Sequence, residues 1–120
     1  TTLKGHEDAV NAVAFAPDGQ ALASTSDDKT LKLWPSTIVQ TLQGHEVAVR
    51  SVAFAPDGQT LASASDDRTV KLWLVKSSLA LATLKGHEND VNAVAFSPNG
   101  KMLASASRDS TVKLWPVKSE

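Results

Sequence analysis

The sequence predicts an all-β fold, built as an array of small four-stranded antiparallel sheets. Three observations carry that prediction. Gly-His dipeptides open three copies of one motif at Gly5-His6, Gly44-His45 and Gly86-His87, spaced 39 and 42 residues apart. Periods of roughly 20–50 residues mark repeat architectures whose units bury their apolar faces only against neighbours. Short β-branched segments alternate with turn residues at regular intervals, the pattern of strands joined by hairpins. Apolar positions at helical spacing never run beyond a few residues, which argues against helices.

Each element follows from the first copy. Val10-Asn11-Ala12-Val13-Ala14-Phe15 reads as a strand, but Val10 and Val13 are three apart. That breaks the two-residue period and predicts a bulge near Asn11-Ala12. Pro17-Asp18-Gly19 is a turn, because proline presets φ and glycine tolerates positive φ. Ala21–Thr25 is the second strand, Asp27-Asp28-Lys29 a tight hairpin and Thr30–Trp34 the third strand. After a break at Pro35-Ser36, Ile38–Leu42 is the fourth. The second copy carries a longer connection at Leu74-Val75-Lys76-Ser77-Ser78, which a loop absorbs at small entropic cost. Taken from the outer strand, the sequence repeats run approximately over residues 2–40, 41–82 and 83–120.

Composition narrows the function classes. With 42% hydrophobic and 21% charged residues the chain is globular rather than disordered. A net charge of −1 provides no field for nucleic acid or an acidic membrane surface. The absence of cysteine removes disulfides, thiolate metal sites and a cysteine nucleophile. No apolar run approaches a bilayer span and no signal peptide is visible, so a cytoplasmic location is expected.

The recurring residues resemble the WD40 family of β-propellers. Each copy carries Gly-His, a Val-x-x-Val-Ala-Phe strand, Pro-Asp/Asn-Gly, Leu-Ala-Ser, an Asp six residues before Trp, and Leu-Trp. The signature Trp-Asp is replaced by Trp34-Pro35, Trp73-Leu74 and Trp115-Pro116. Proline lacks an N–H and is expected to end the third strand early. The resemblance implies propeller blades and a buried hydrogen-bond network in each. By position the network comprises His6, Ser24, Asp28 and Trp34; His45, Ser63, Asp67 and Trp73; and His87, Ser105, Asp109 and Trp115. An imidazole can bridge hydroxyl and carboxylate, and a buried indole N–H needs an acceptor.

Other chemistry is weaker. A Ser-His-Asp trio invites a hydrolase reading, but a catalytic triad occurs once, in a cleft, beside oxyanion donors. Here the trio occurs three times, each with a tryptophan. The three histidines come from separate repeats without metal-ligand spacing, and Asp27-Asp28 and Asp66-Asp67 read as hairpin turns. The isolated Gly19, Gly58 and Gly100 are turn glycines, not a phosphate loop. Lys32, Lys71 and Lys113 are expected to lay their stems over apolar neighbours and keep the ammonium wet. No enzyme activity, metal or cofactor is therefore expected.

Differences between the copies fall mainly in the loop after Gly-His and in the hairpin of the second and third strands. They define a candidate partner-binding face of Asp8, Asn11, Asp27, Arg50, Asp66, Asp90, Asn92 and Arg108. In a WD40-like blade both loops lie on one face of the disc, where the family binds peptides and proteins. Variable loops on a fixed core are where repeat scaffolds place specificity.

Three blades are fewer than the roughly four to eight of common propellers. The last copy lacks a fourth strand, and Thr1, Thr2, Leu3 and Lys4 form an isolated outer-strand segment. Strand addition between copies would complete the blade, and head-to-tail contacts that close give rings. The expectation is a cyclic homo-oligomer. Three chains give nine blades and two give six, with the trimer favoured slightly. The expected role is a non-catalytic scaffold or protein-interaction module. Near-identical repeats also suit a designed or recently amplified propeller without an evolved ligand. The alternatives are a peptide- or protein-binding platform belonging to a larger regulatory WD40 protein and, further off, a hydrolase or metal-dependent enzyme. Neither nucleic acid nor a membrane is expected as partner.

Overall fold

A computed structural model gives the fold and describes residues 1–34 and 39–117. Eleven strands appear among these residues. They are β1 (Val10–Phe15), β2 (Leu22–Ser26), β3 (Thr30–Leu33), β4 (Gln40–Gln43), β5 (Val49–Phe54), β6 (Thr60–Ser65), β7 (Thr69–Leu74), β8 (Ala80–Lys85), β9 (Val91–Phe96), β10 (Met102–Ser107) and β11 (Val112–Pro116). They form three antiparallel meanders, β1-β2-β3-β4, β5-β6-β7-β8 and β9-β10-β11. Thr1, Thr2, Leu3 and Lys4 are exposed and lie outside the three sheets.

The bulge expected from the Val-x-x-Val spacing is present. Register shifts between Val10 and Ala12, and again between Val49 and Ser51. The extra residue brings both valines of each pair to one face. Each β2–β3-type hairpin closes with a turn in which Lys29, Arg68 or Ser110 donates its N–H to Ser26, Ser65 or Ser107. Those three residues take φ of 74–77°, left-handed values that favour glycine.

Several boundaries differ from expectation. β2 is displaced one residue toward the C-terminus and β4 begins at Gln40; Pro35, Ser36 and Ile38 lie outside the described residues. Proline does not end the third strand of the last copy, since β11 includes Pro116 paired opposite Met102. The reason is alternation of the N–H groups. Val117 donates to Lys101 across the sheet at 2.8 Å, so position 116 turns its missing N–H toward the unpaired edge of β11.

The core lies between the sheets rather than within them. Ala23, Leu31, Leu33 and Leu42 of the first sheet pack against Val49, Val52, Leu61 and Trp73 of the second. Ala62, Ala64, Val70 and Leu72 then pack against Val91, Val94 and Leu103 of the third. Full burial of each large aliphatic contributes about 1.5–3 kcal/mol, so the seams are the main source of stability. Polar contacts cross them as well. Asn11 Nδ2 donates to the Val49 carbonyl at 2.8 Å, and Val94 N donates to Ser51 Oγ at 3.3 Å.

Candidate functional site

Two constellations dominate one end of the sheets. The first repeats in each sheet and begins with the Gly-His loop. An added Cβ at Gly44 would lie 3.3 Å from the Trp73 ring, a tight contact that the buried indole would have to yield to, so glycine eases the close approach of the backbone. His45 then turns inward and is buried. Its Nδ1 lies 2.8 Å from Asp67 Oδ2 and its Nε2 2.7 Å from Ser63 Oγ. Trp73 Nε1 donates to the same Ser63 Oγ at 2.8 Å.

Donors and acceptors balance along this path with the imidazole proton on Nδ1. The indole N–H donates to the serine, the serine O–H to His45 Nε2, and His45 Nδ1–H to the carboxylate. The structure brings together His6, Ser24, Asp28 and Trp34 in the same way, with ring-nitrogen distances of 2.9 and 2.7 Å. His87, Ser105, Asp109 and Trp115 repeat it.

Sequence reasoning found one of the four hydrogen bonds to the Asp67 carboxylate, the one from His45, and missed the other three. Asp67 Oδ2 also accepts the Glu46 N–H at 3.1 Å, and Oδ1 accepts the Thr69 N–H at 3.0 Å and its hydroxyl at 2.6 Å. Ser65 Oγ accepts the Asp67 N–H at 3.0 Å and donates to the Ala48 carbonyl at 2.8 Å. The threefold Asp-x-Thr and the serine two residues before each Asp were the available signal. Each carboxylate thus ties the Gly-His loop to the hairpin.

This environment acts on the carboxyls. Burial pushes Asp28 and Asp67 up, but hydrogen bonds outweigh it, from Thr30, Glu7 N and His6 at the first and from His45 and Thr69 at the second. Both are held well below the usual carboxylate range. At Asp109 the Thr111 hydroxyl is the largest influence, with the same result. Ser24, Ser63 and Ser105 are buried and already accept an indole N–H. The geometry holds loops in place, and each of these three serines is enclosed between an indole and an imidazole.

The second constellation is the loop face. Arg50 makes a bidentate contact with Asp66, Nε to Oδ1 at 3.0 Å and Nη2 to Oδ2 at 2.6 Å. That guanidinium holds Asp66 below the usual carboxylate range. Arg50 also reaches back to Asp27 of the first sheet at 3.8 Å. Asn11 Nδ2 donates to Asp27 Oδ1 at 2.9 Å. Asn11, Asp27, Arg50 and Asp66 therefore form one polar cluster across the first seam. Arg108 lies 4.0 Å from Asp90. Asp8 accepts the N–H of its neighbour Ala9 at 2.8 Å, and Asn92 is exposed on β9. Among the described residues no group of three or more His, Cys, Asp or Glu is arranged to hold a metal ion, and no helix is long and apolar enough to cross a membrane.

Comparison with known proteins accounts for the threefold pattern. The sequence model of the family described as "WD domain, G-beta repeat" matches residues 1–35, 36–73 and 79–116. Among similar proteins, the vegetative incompatibility protein HET-E-1 of Podospora anserina is 61% identical over 33 residues, 28% of this chain and 2% of that protein. Lissencephaly-1 homolog 1 of Paramecium tetraurelia is 54% identical over 33 residues, 28% of this chain and 8% of its own length. A serine-threonine kinase receptor-associated protein of Gallus gallus is 45% identical over 40 residues, 33% of this chain and 11% of its own length. The aligned stretches span only a small part of these relatives.

Proposed function

The chain belongs to the WD40 repeat family, and on that premise we propose that it is a non-catalytic interaction scaffold that assembles head to tail with copies of itself into a closed ring of blades. One observation carries the reading: the free faces at the two ends of the array repeat the two halves of the buried seams. The front of the first sheet presents Val10, Val13 and Leu22 where the second presents Val49, Val52 and Leu61. The rear of the third presents Val112 and Leu114 where the second presents Val70 and Leu72. Val13 is 62% exposed against 8% for Val52, and Leu114 65% against 9% for Leu72. Such contiguous apolar faces are uncommon on an unpartnered surface. A second copy is the occupant whose shape already matches, because each seam inside the chain is the same pair of faces.

The first residues extend this fit. Thr2-Leu3-Lys4 precedes Gly5-His6 as Thr41-Leu42-Gln43 precedes Gly44-His45 and Thr83-Leu84-Lys85 precedes Gly86-His87. Leu42 lies opposite Leu31 and Leu84 opposite Val70. In the same register, Leu3 of the next copy lies opposite Val112 and its Thr2 opposite Lys113. The Lys113 ammonium then meets the Thr2 hydroxyl as Lys32 meets Thr41 at 2.7 Å and Lys71 meets Thr83 at 2.8 Å.

Mass measurement in solution tests the assembly. From a chain of 12.7 kDa, a nine-blade trimer is expected at about 38 kDa, a six-blade dimer at about 25 kDa, and a single-chain mass overturns the proposal. The strand register has its own test. Directly opposed antiparallel residues have Cα atoms about 4.5–5.5 Å apart, within disulfide reach. The Thr2→Cys/Lys113→Cys double variant should link chains covalently on oxidation, whereas Leu3→Cys/Lys113→Cys should not. Assembled mass without the cross-link would reject strand exchange and leave the packing of faces intact.

A second reading is favoured by the polar cluster of Asn11, Asp27, Arg50 and Asp66 together with Asp90 and Arg108. It makes the loop face a docking platform for a peptide or protein, within a larger WD40 protein like the relatives named above. Retained partner binding after Arg50→Ala would count against that face.

A further inference from the structure

Between the loop Gly44–Glu46 and the loop Gly86–His87, over the ends of β7 and β8, runs a groove of about 460 Å³. It lies on the middle sheet, away from both end faces, and would stay open in a ring. Three cationic residues line it, Arg68, Lys71 and Lys85, together with Thr69, Thr83 and Glu46. The β7–β8 register places Thr69 opposite Lys85 and Lys71 opposite Thr83. These four side chains therefore share one face of the sheet. Arg68 joins them from the hairpin, where its backbone is left-handed.

Charge distinguishes this groove from the loop face. Arg50 and Arg108 are both paired with aspartates. Among the described residues, neither Arg68 nor Lys71 nor Lys85 has a carboxylate within 4.0 Å. Lys71 has a neutral partner instead, the Thr83 hydroxyl at 2.8 Å. Of the two carboxylates along the groove, Asp67 is already saturated by His45, Glu46 N and Thr69. Glu46 is the other, and it leaves the cations in excess.

We propose that this groove is a binding site for a phosphomonoester dianion, held by Arg68, Lys71 and Lys85 with the Thr83 hydroxyl. A tetrahedral phosphoryl group offers three oxygens in divergent directions, which suits three donors arriving from a hairpin and two strands. A single carboxylate carries half the charge and two coplanar oxygens. The first sheet supplies an internal contrast. The corresponding positions there are Lys29, Lys32, Thr41 and Gln43, one cation fewer. Lys85→Gln therefore gives the second sheet the cation count of the first at these positions without touching the core.

The test is titration of the intact chain with inorganic phosphate, phenyl phosphate and acetate, followed by amide chemical shifts. Exposed charge pairs are weak, so saturation at about 1–10 mM is expected for both phosphates. Shifts should centre on Arg68, Thr83 and Lys85 and leave the corresponding Lys29, Lys32, Thr41 and Gln43 unmoved. Lys85→Gln should weaken binding about tenfold, and Glu46→Gln should tighten it severalfold, with an unchanged fold as seen in the remaining amides. Phenyl phosphate binding without inorganic phosphate binding would point to the aryl group and overturn the proposal. So would no saturable shift at about 50 mM phosphate, an equal response to acetate, or an unaltered response in Lys85→Gln.

Discussion

The middle sheet and the two end sheets are built from nearly the same residues but differ in what those residues contact. Val52 and Val94 are buried where Val13 is open to solvent, and Leu72 is buried where Leu114 is not. Trp73 is fully enclosed, whereas Trp34 and Trp115 are half-buried with the same serine partner and the same 2.8 Å bond. The polar network is local to a blade and forms everywhere. The apolar seam is shared between blades and forms only where a neighbour stands. In a repeat array, then, hydrogen bonding sets the shape of each unit and burial sets its stability.

The largest test of this contrast is the tryptophan. Trp73→Ala should cost about 3–5 kcal/mol in urea unfolding. Trp34→Ala should match it where copies close the ring and fall to about half on dilution to single chains. Equal costs at every concentration would remove the distinction between middle and end sheets.

The network is the next test. Asp67→Ala leaves donors on His45, Glu46 and Thr69 unpaired and should cost about 1–3 kcal/mol. Asp28→Ala should cost a similar amount, because its bonds are the same. Acid sharpens this. The folded-state pKa values of Asp28, Asp67 and Asp109 are depressed. Their stabilisation is therefore complete above the unfolded value of about 3.9 and is lost as pH falls through the folded values. Unfolding free energy should decline below about pH 4, and Asp67→Asn should flatten that decline.

A smaller effect of opposite sign is expected at Thr25. It is fully buried, and its Oγ1 has no hydrogen-bond partner among the described residues. The same register position holds Ala64 and Ala106 in the other sheets. Thr25→Ala should raise stability by about 1 kcal/mol, read as a higher urea midpoint. The smallest effect belongs to Arg50. It is an exposed, bidentate contact, so Arg50→Ala should cost at most about 1 kcal/mol and less in high salt.

Much of this was legible from residue types alone. The Val-x-x-Val spacing marks the bulge, because a one-residue insertion is the local way to place both valines on one face. The Gly-His, Leu-Ala-Ser, Asp-x-Thr and Leu-Trp motifs point to the four side chains that meet in each blade. The pattern places Thr30 at the junction of hairpin and third strand, and Thr69 and Thr111 likewise, but gives none of them a partner, since nothing in a linear pattern shows that a hydroxyl lies beside a carboxylate rather than in water. Pro116 was misjudged for a related reason. Whether a missing N–H matters depends on which way it faces in a sheet.

By itself the sequence determines the unit: strand order, turn positions and buried polar contacts follow from interactions within about 40 residues of chain. Only the tertiary structure decides which copies of an identical side chain are buried, and which cations converge on a groove without an ion-pair partner among the described residues. Burial and electrostatics between blades depend on what stands opposite each face, and a repeat has no record of its neighbour.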